Sequence, residues 1–277
     1  MSLPTDQPPV AGRRFGLLVI GDEILSGKRV DKHLPKVIEL LKSRGLQLDY
    51  AEYLGDSPQR ITDSLRRAFA SGDVVFSTGG IGATPDDHTR QSAARALGVA
   101  LALHPEAKLL IEERMQDVAR QNNTVYDPAA QDNKHRLNMG VFPVGARLIP
   151  NPYNKIPGFS VADVHFVPGF PVMAWPMVEW VLDQRYAHLF AQRSWQEQSV
   201  IVFGAMEAAL TPLMEQIELN HQQIKVFSLP SVDHPTYGRH IELGVKGPPE
   251  AVATAYAEMK QALLSMNTQL GPEMVQN

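Results

Sequence analysis

Short apolar runs alternate with helical patterns in this chain, joined by loops of a few residues, and few folds accommodate that rhythm. Phe15–Ile20 is apolar on both faces, as a central parallel strand is. Leu34, Val37, Ile38 and Leu41 then recur at helical spacing up to a stop at Gly45. Residues 46–53 alternate apolar and polar and predict a second strand. Ser57 and Pro58 open the next helix as N-cap and first helical residue. Residues 73–77 form a third strand that runs into Thr78, Gly79, Gly80 and Gly82. Thr84 and Pro85 read as the start of a helix lasting to Gly98.

This βαβαβα order predicts an α/β fold, a three-layer αβα domain with a mainly parallel sheet. A helix over 106–122, a polar loop and short helical stretch leading to 147–150, a strand or hairpin at 159–167, and a helix over about 172–185 complete a domain spanning 15–190. The rhythm then changes. Strands at 199–203, 224–229 and 239–246 and helices at 207–219 and 250–266 give a βαββα order, a small α+β domain over 195–266. Residues 1–14, with three prolines, read as a flexible lead-in, and residues 267–277 as a tail expected to fray.

A chain of 277 residues suits one large and one small domain. It carries 26 Lys and Arg against 30 Asp and Glu, a net charge of −4, which disfavours nucleic acid as a partner. Cysteine is absent, which removes disulfides, thiolate nucleophiles and cysteine-based zinc sites and fits a cytoplasmic location. The first apolar run has six residues where a membrane helix needs about 20, so no membrane partner is expected.

In open parallel sheets ligands sit beyond the carboxyl ends of the strands. Three strands here end in acidic or glycine-rich loops: Asp22 and Glu23 after the first, Asp56 after the second, and Gly79 through Asp86 and Asp87 after the third. Their carboxylates are expected to converge on one rim. Gly79, Gly80, Gly82 and Thr84 would hold a phosphate on backbone amides at the head of a helix. Asp22, Glu23, Asp56, Asp86 and Asp87 would make an oxygen-rich site for a divalent metal such as Mg²⁺, Mn²⁺ or Co²⁺. Each element also has a plain reading. Thr84 and Asp87 stand at capping-box spacing, and Asp22, Glu23 and Asp56 suit solvated turns. Lys134 and Arg136 would supply cations for phosphate, or form a solvated helix face. His33 reads as a surface residue, Lys155 as a cation in a proline-rich loop, and Gly244 and Gly247 as a turn ending a strand.

At these loops the sequence resembles the molybdopterin-binding, or molybdenum-cofactor-biosynthesis, domain superfamily. The matching pieces are Ile20 to Gly27, Gly55 with Asp56, and the run from Thr78 to Thr89, extended by Asn151, Pro157 to Phe159, and Pro168 to Pro171. The resemblance covers about 15–185 and is strongest to the competence/damage-inducible protein A group and the N-terminal domain of FAD synthases. The small domain resembles the KH-like middle domain of the competence group. The resemblance implies a homo-oligomer and a small nucleotide or pterin ligand. It carries family site acids onto Asp56 and Asp87 and implies either of two activities. One is metal-dependent hydrolysis of a nucleotide pyrophosphate such as ADP-ribose or FAD, with Asp56 and Asp87 as catalytic residues, to which the charges of Lys134 and Arg136 add two candidates for stabilising the leaving phosphate. The other is binding or adenylylation of molybdopterin. Two departures stand out: Gly-Asp-Glu where competence-type chains often have Gly-Thr-Glu, and Pro-Gly-Phe-Pro where Pro-Gly-Pro-Pro is common. With the chain ending after the small domain, amidase and FAD synthase adenylyltransferase activities are not expected of it.

Overall fold

Strand β1 (Phe15–Ile20) is buried along its whole length, and the larger unit is built around it. The computed structural model describes residues 13–190 and 196–276. The expected lead-in falls, except for Arg13 and Arg14, outside the described residues. The chain divides between Leu189 and Phe190 into two units.

In the first unit β1 is followed by α1 (Asp22–Leu25), α2 (His33–Lys42), β2 (Leu48–Leu54), α3 (Pro58–Ser71), β3 (Val74–Thr78) and α4 (Thr89–Leu97). Then come β4 (Leu101–Leu103), α5 (Pro105–Gln121), α6 (Gln131–Leu137), β5 (Val141–Pro143), β6 (Arg147–Ile149), β7 (Gly158–Val161), β8 (Val164–Val167) and α7 (Pro171–Arg185). Six strands form one sheet in the order β2-β1-β3-β8-β7-β6. The pairs β2/β1, β1/β3 and β3/β8 are parallel, and β8/β7 and β7/β6 are antiparallel. The sheet is thus mainly parallel, as expected. Helices α2 and α7 cover one face. On the other, Ile61 and Leu65 of α3, Ala93 of α4 and Ala107 of α5 join the sheet in one apolar core. Phe142, Phe159 and Phe166 stack in series there, with ring centroids 4.7 and 4.3 Å apart. A two-stranded ribbon of β4 and β5 completes the unit.

The second unit contains β9 (Gln196–Phe203), α8 (Glu207–Asn220), β10 (Lys225–His234), β11 (Gly238–Gly247), α9 (Pro249–Ser265) and β12 (Gln269–Gln276). Its sheet is antiparallel, in the order β10-β11-β9-β12, with α8 and α9 packed against it. Two expectations are corrected here. The expected tail is a strand, because β12 pairs with β9 from Gln269 to Gln276 around a bulge between Leu270 and Glu273. Gly244 and Gly247 lie within β11 rather than in a turn, and a side chain at Gly244 would collide with Phe227 and Ser199.

A buried polar chain sits at the β7–β8 hairpin. Ser160 Oγ is 2.8 Å from His165 Nδ1, and His165 Nε2 is 2.7 Å from the Tyr186 hydroxyl. That hydroxyl donates to Asp163 Oδ1 at 2.7 Å, and Arg13 pairs with Asp163 Oδ2 at 3.0 Å. Tyr186 has one proton and gives it to Asp163, so its oxygen accepts from His165 Nε2–H. Nδ1 is then the acceptor for Ser160, and the ring is neutral. Burial pushes His165 well below its ordinary value, and the charge of Arg185 adds to this. Above pH 6.5 neither the folded nor the unfolded chain protonates this ring. Below it the unfolded ring gains a proton that the folded one refuses, so stability falls with acid, by up to ~1.4 kcal/mol per pH unit. Urea unfolding at pH 6.5 and 5.5 is expected to show this loss, and His165→Gln to show a smaller one. An unchanged slope in the variant would assign the acid sensitivity elsewhere.

Candidate functional site

Because β2, β1, β3 and β8 run parallel, their carboxyl ends share one edge. Register then decides which loop residues meet. Ile20 lies beside Leu54, and the Gly21 amide donates to the Leu54 carbonyl at 2.9 Å. Asp22 and Asp56 therefore occupy equivalent places one step beyond their strands. They interlock: the Asp22 amide donates to Asp56 Oδ2 at 2.9 Å, and the Asp56 amide donates to Asp22 Oδ1 at 3.2 Å. This approach requires Gly55, where a Cβ would fall on Asp22 Oδ1. Asp22 Oδ2 and Asp56 Oδ1 have no hydrogen-bond partner among the described residues. Burial pushes the Asp56 carboxyl above its ordinary range. The hydrogen bond from Asp22 opposes this, and the charges of Asp22, Glu23 and Asp86 add to it. Glu23 folds back beside Gly21.

The glycine loop reaches the same edge from β3. The Gly79 amide donates to the Val167 carbonyl at 3.1 Å, with a left-handed φ of 96°. Thr89 ties the loop from below, its hydroxyl donating to the Gly79 carbonyl at 3.1 Å and its amide to the Gly80 carbonyl at 3.0 Å. Helix α4 begins at this Thr89, not at Thr84 as expected. Residues Thr84 to Asp87 instead close a turn. Asp87 Oδ2 accepts both the amide of Thr84 at 2.8 Å and its hydroxyl at 2.5 Å. The buried Arg90 guanidinium donates to the Gly82 carbonyl at 2.5 Å.

The expected phosphate cradle is thereby narrowed. The amides of Gly79 and Thr84 are already occupied, while those of Gly80, Ile81, Gly82 and Ala83 have no hydrogen-bond partner among the described residues. Asp87 turns into its own loop, and Asp86 is the loop acid whose charge reaches Asp56. The Asp86 carboxylate is held below its usual range by hydrogen bonding with Thr84 and its own amide, and by His88. Asp87→Ala removes two acceptor bonds and is expected to cost about 1–2 kcal/mol in urea unfolding. Asp86→Ala is expected to cost less than half of that. Equal losses would mean that Asp87 does not hold the turn.

A cleft of about 530 Å³ opens beside the acid pair, lined by Asp22, Asp56, Leu25, Tyr53, Leu54 and Arg60 among others. Tyr53 is fixed as a wall because its hydroxyl donates to Asp31 Oδ2 at 2.8 Å. Asp31 also caps α2 through the amides of His33 and Leu34. Burial and the Asp31 carboxylate push the Tyr53 hydroxyl up to about 12. His33, expected at the surface, is buried, with Nε2 3.0 Å from the Gly169 carbonyl. Gly169 in turn lies against Gly79, where its Cβ would come within 3.4 Å of the Gly79 Cα.

Arg60 is the cation that sequence reasoning missed. It lies in a helix whose polar positions look solvated, and only the fold brings it to the cleft. Lys134 and Arg136 are on α6, which packs with α5 and the turn after it, and Arg136 donates to Asn133 at 2.9 Å. Neither hydrogen-bonds to nor pairs with the three loops. Lys155 bridges Glu113 at 2.5 Å and Asp117 at 2.7 Å on α5.

No set of three His, Asp or Glu side chains forms a metal cage among the described residues, so the five acids do not act as one group. The donor set fits a hard ion differently. Two carboxylates with one open oxygen each suit a cation that completes its shell with ligand phosphate oxygens and water. No helix of the described residues is long and apolar enough to cross a membrane.

Residues 16–188 match the family profile described as "Probable molybdopterin binding domain". A CinA-like protein of Citrifermentans bemidjiense is 34% identical over 206 residues, which cover 73% of this chain and 47% of that protein. A protein of Caldivirga maquilingensis is 28% identical over 271 residues, 94% of this chain and 99% of its own length. The crystal structure of the protein CinA with unknown function from Thermoplasma acidophilum covers 62% of this chain and 98% of its own at 25% identity, with a TM-score of 0.53. The chain spans about half the length of the first of these curated relatives.

Proposed function

This chain belongs to the molybdopterin-binding domain family, close to the CinA group, and on that premise we propose that its rim binds a nucleotide or pterin through phosphate groups and acts on a phosphoanhydride. One observation carries the reading: the interlocked Asp22 and Asp56 face the same strand edge as four unoccupied amides, Gly80 to Ala83. The amides offer donors to one phosphate without a side-chain charge. Tyr53, Leu25 and Leu54 give a ribose or planar ring an apolar wall. Asp22 and Asp56 would hold a divalent ion such as Mg²⁺, Mn²⁺ or Co²⁺. When bound, that ion would offset phosphate charge and lower the pKa of a water. Asp87 keeps the loop in shape rather than touching the ligand.

Two activities share these parts. Hydrolysis of a nucleotide pyrophosphate such as ADP-ribose or FAD is favoured by the acid pair beside the open amides. Binding or adenylylation of molybdopterin is favoured by the family match over 16–188. Incubation with ADP-ribose or FAD plus each metal is expected to release AMP. Incubation with molybdopterin and ATP tests the second activity by formation of adenylylated pterin. AMP release without adenylylation assigns hydrolysis, and the reverse assigns the pterin reaction. Neither product under any metal would overturn both.

A further inference from the structure

We propose that Arg60 receives the second phosphate of a two-phosphate ligand, and so makes the cleft selective for a phosphoanhydride over a monophosphate. This rests on the reading above. The ligands of both activities, ADP-ribose or FAD and an adenylylated pterin, join adenosine to a second group through two linked phosphates.

The amides of Gly80 to Ala83, without a hydrogen-bond partner among the described residues, are donors for one phosphate. A second phosphate that enters the cleft meets Asp22 and Asp56 in its wall. A divalent ion on that pair offsets the charge of the acids, and the charge of the second phosphate calls for a cation in the same wall. Arg60 is the cation among the residues that line the cleft. It also differs from its neighbours on α3. Arg66 pairs with Asp63 at 2.7 Å and Arg67 with Glu52 at 2.8 Å, each satisfied locally. Arg60 has no ion pair or hydrogen bond among the described residues, although Asp56 lines the same cleft. It is the third residue of α3, a position where the helix dipole disfavours a cation. A guanidinium left unpaired there, facing a cleft, is set to take an anion from solution in a two-pronged contact. The acid pair and Arg60 therefore divide the work. The acids would hold the divalent ion, and Arg60 the second phosphate.

The experiment is calorimetric titration of the full chain with ADP and with AMP in the presence of Mg²⁺, for wild type, Arg60→Gln, Arg60→Lys and Arg66→Gln. Wild type is expected to bind ADP at least about tenfold more tightly than AMP. Arg60→Gln is expected to lose about ten- to hundredfold in ADP affinity, the range of one charge-assisted contact, and to keep AMP affinity within about twofold. Arg60→Lys should recover part of the ADP preference, because it keeps the charge and loses the fork. Arg66→Gln should change neither. No ADP preference in wild type, an equal loss for both ligands in Arg60→Gln, or an intact preference in that variant would each overturn the proposal. The outcomes separate from those of the preceding test. An Arg60-dependent ADP preference without AMP release or adenylylation would remove the catalytic reading and leave this one standing. Catalysis with an Arg60-independent preference would do the reverse.

Discussion

Asp56→Asn is expected to reduce phosphoanhydride turnover by about a hundredfold or more while leaving the fold at least as stable as wild type. The asparagine keeps a carbonyl oxygen that can accept the Asp22 amide, so the interlock between the two loops survives. It replaces the open carboxylate oxygen with an NH₂ group that cannot ligate a cation, and removes one charge from the pair. Loss of a group that organises charge at the reacting phosphates has effects of this size. The effect on stability has the opposite sign. In the folded protein the charges of Asp22, Glu23 and Asp86 act against an ionised Asp56, and burial adds to the cost. A neutral side chain relieves both, and metal-free thermal unfolding at neutral pH should show a midpoint equal to or above that of wild type. Full activity with a lowered midpoint would mean that Asp56 is a structural residue and nothing more.

Gly79→Ala should be the most damaging single-methyl change in the site. Its φ of 96° strains any residue with a side chain, and the added Cβ would fall on the carbonyl oxygen of Ile20. That oxygen belongs to the last residue of the central strand, which is hydrogen-bonded between neighbours and cannot retreat. Backbone strain and a backbone clash together are expected to cost about 3 kcal/mol or more. Gly72→Ala is the control. Its φ is similar at 73°, but nothing lies within 4 Å of the added methyl, so only the strain of about 1 kcal/mol remains. Urea unfolding of the two variants separates clash from conformation. Equal losses would show that the loop moves freely away from β1, and would remove the rigid frame on which the four amides depend.

The parallel core and the meeting of the first two acidic loops were legible in the sequence because both follow from local signals. The apolar run of Phe15–Ile20 marks a strand buried on both faces, and the glycine-acid pairs after successive parallel strands land side by side by register. What escaped depended on distant partners. His33 is buried by a bond to Gly169, 136 residues away, which no local pattern announces. Thr84 and Pro85 carry a helix-start signature, yet Asp87 binds Thr84 into a turn and Thr89 anchors the helix to Gly79 and Gly80. Residues 269–276, interrupted by Gly271 and Pro272, have weak strand character of their own and become β12 through pairing with β9. Arg60 shows no sequence feature that distinguishes it from Arg66 or Arg67. The role proposed for it rests on the cleft it lines and on the acids its neighbours find. Lys134 and Arg136 suit a phosphate by charge alone, but both are exposed on α6, a helix that packs on α5, and neither pairs with the three loops.

In the proposed function the amides of Gly80 to Ala83, the acid pair and Arg60 hold one ligand on one rim. Backbone amide NMR during titration with ADP and Mg²⁺ reads this directly. Shifts concentrated at Gly80 to Ala83, at Asp22 and Asp56, and at Arg60 are predicted, with α6 unmoved. Shifts centred on α6 or on the second unit, or none at the glycine loop at saturating ADP, would contradict it.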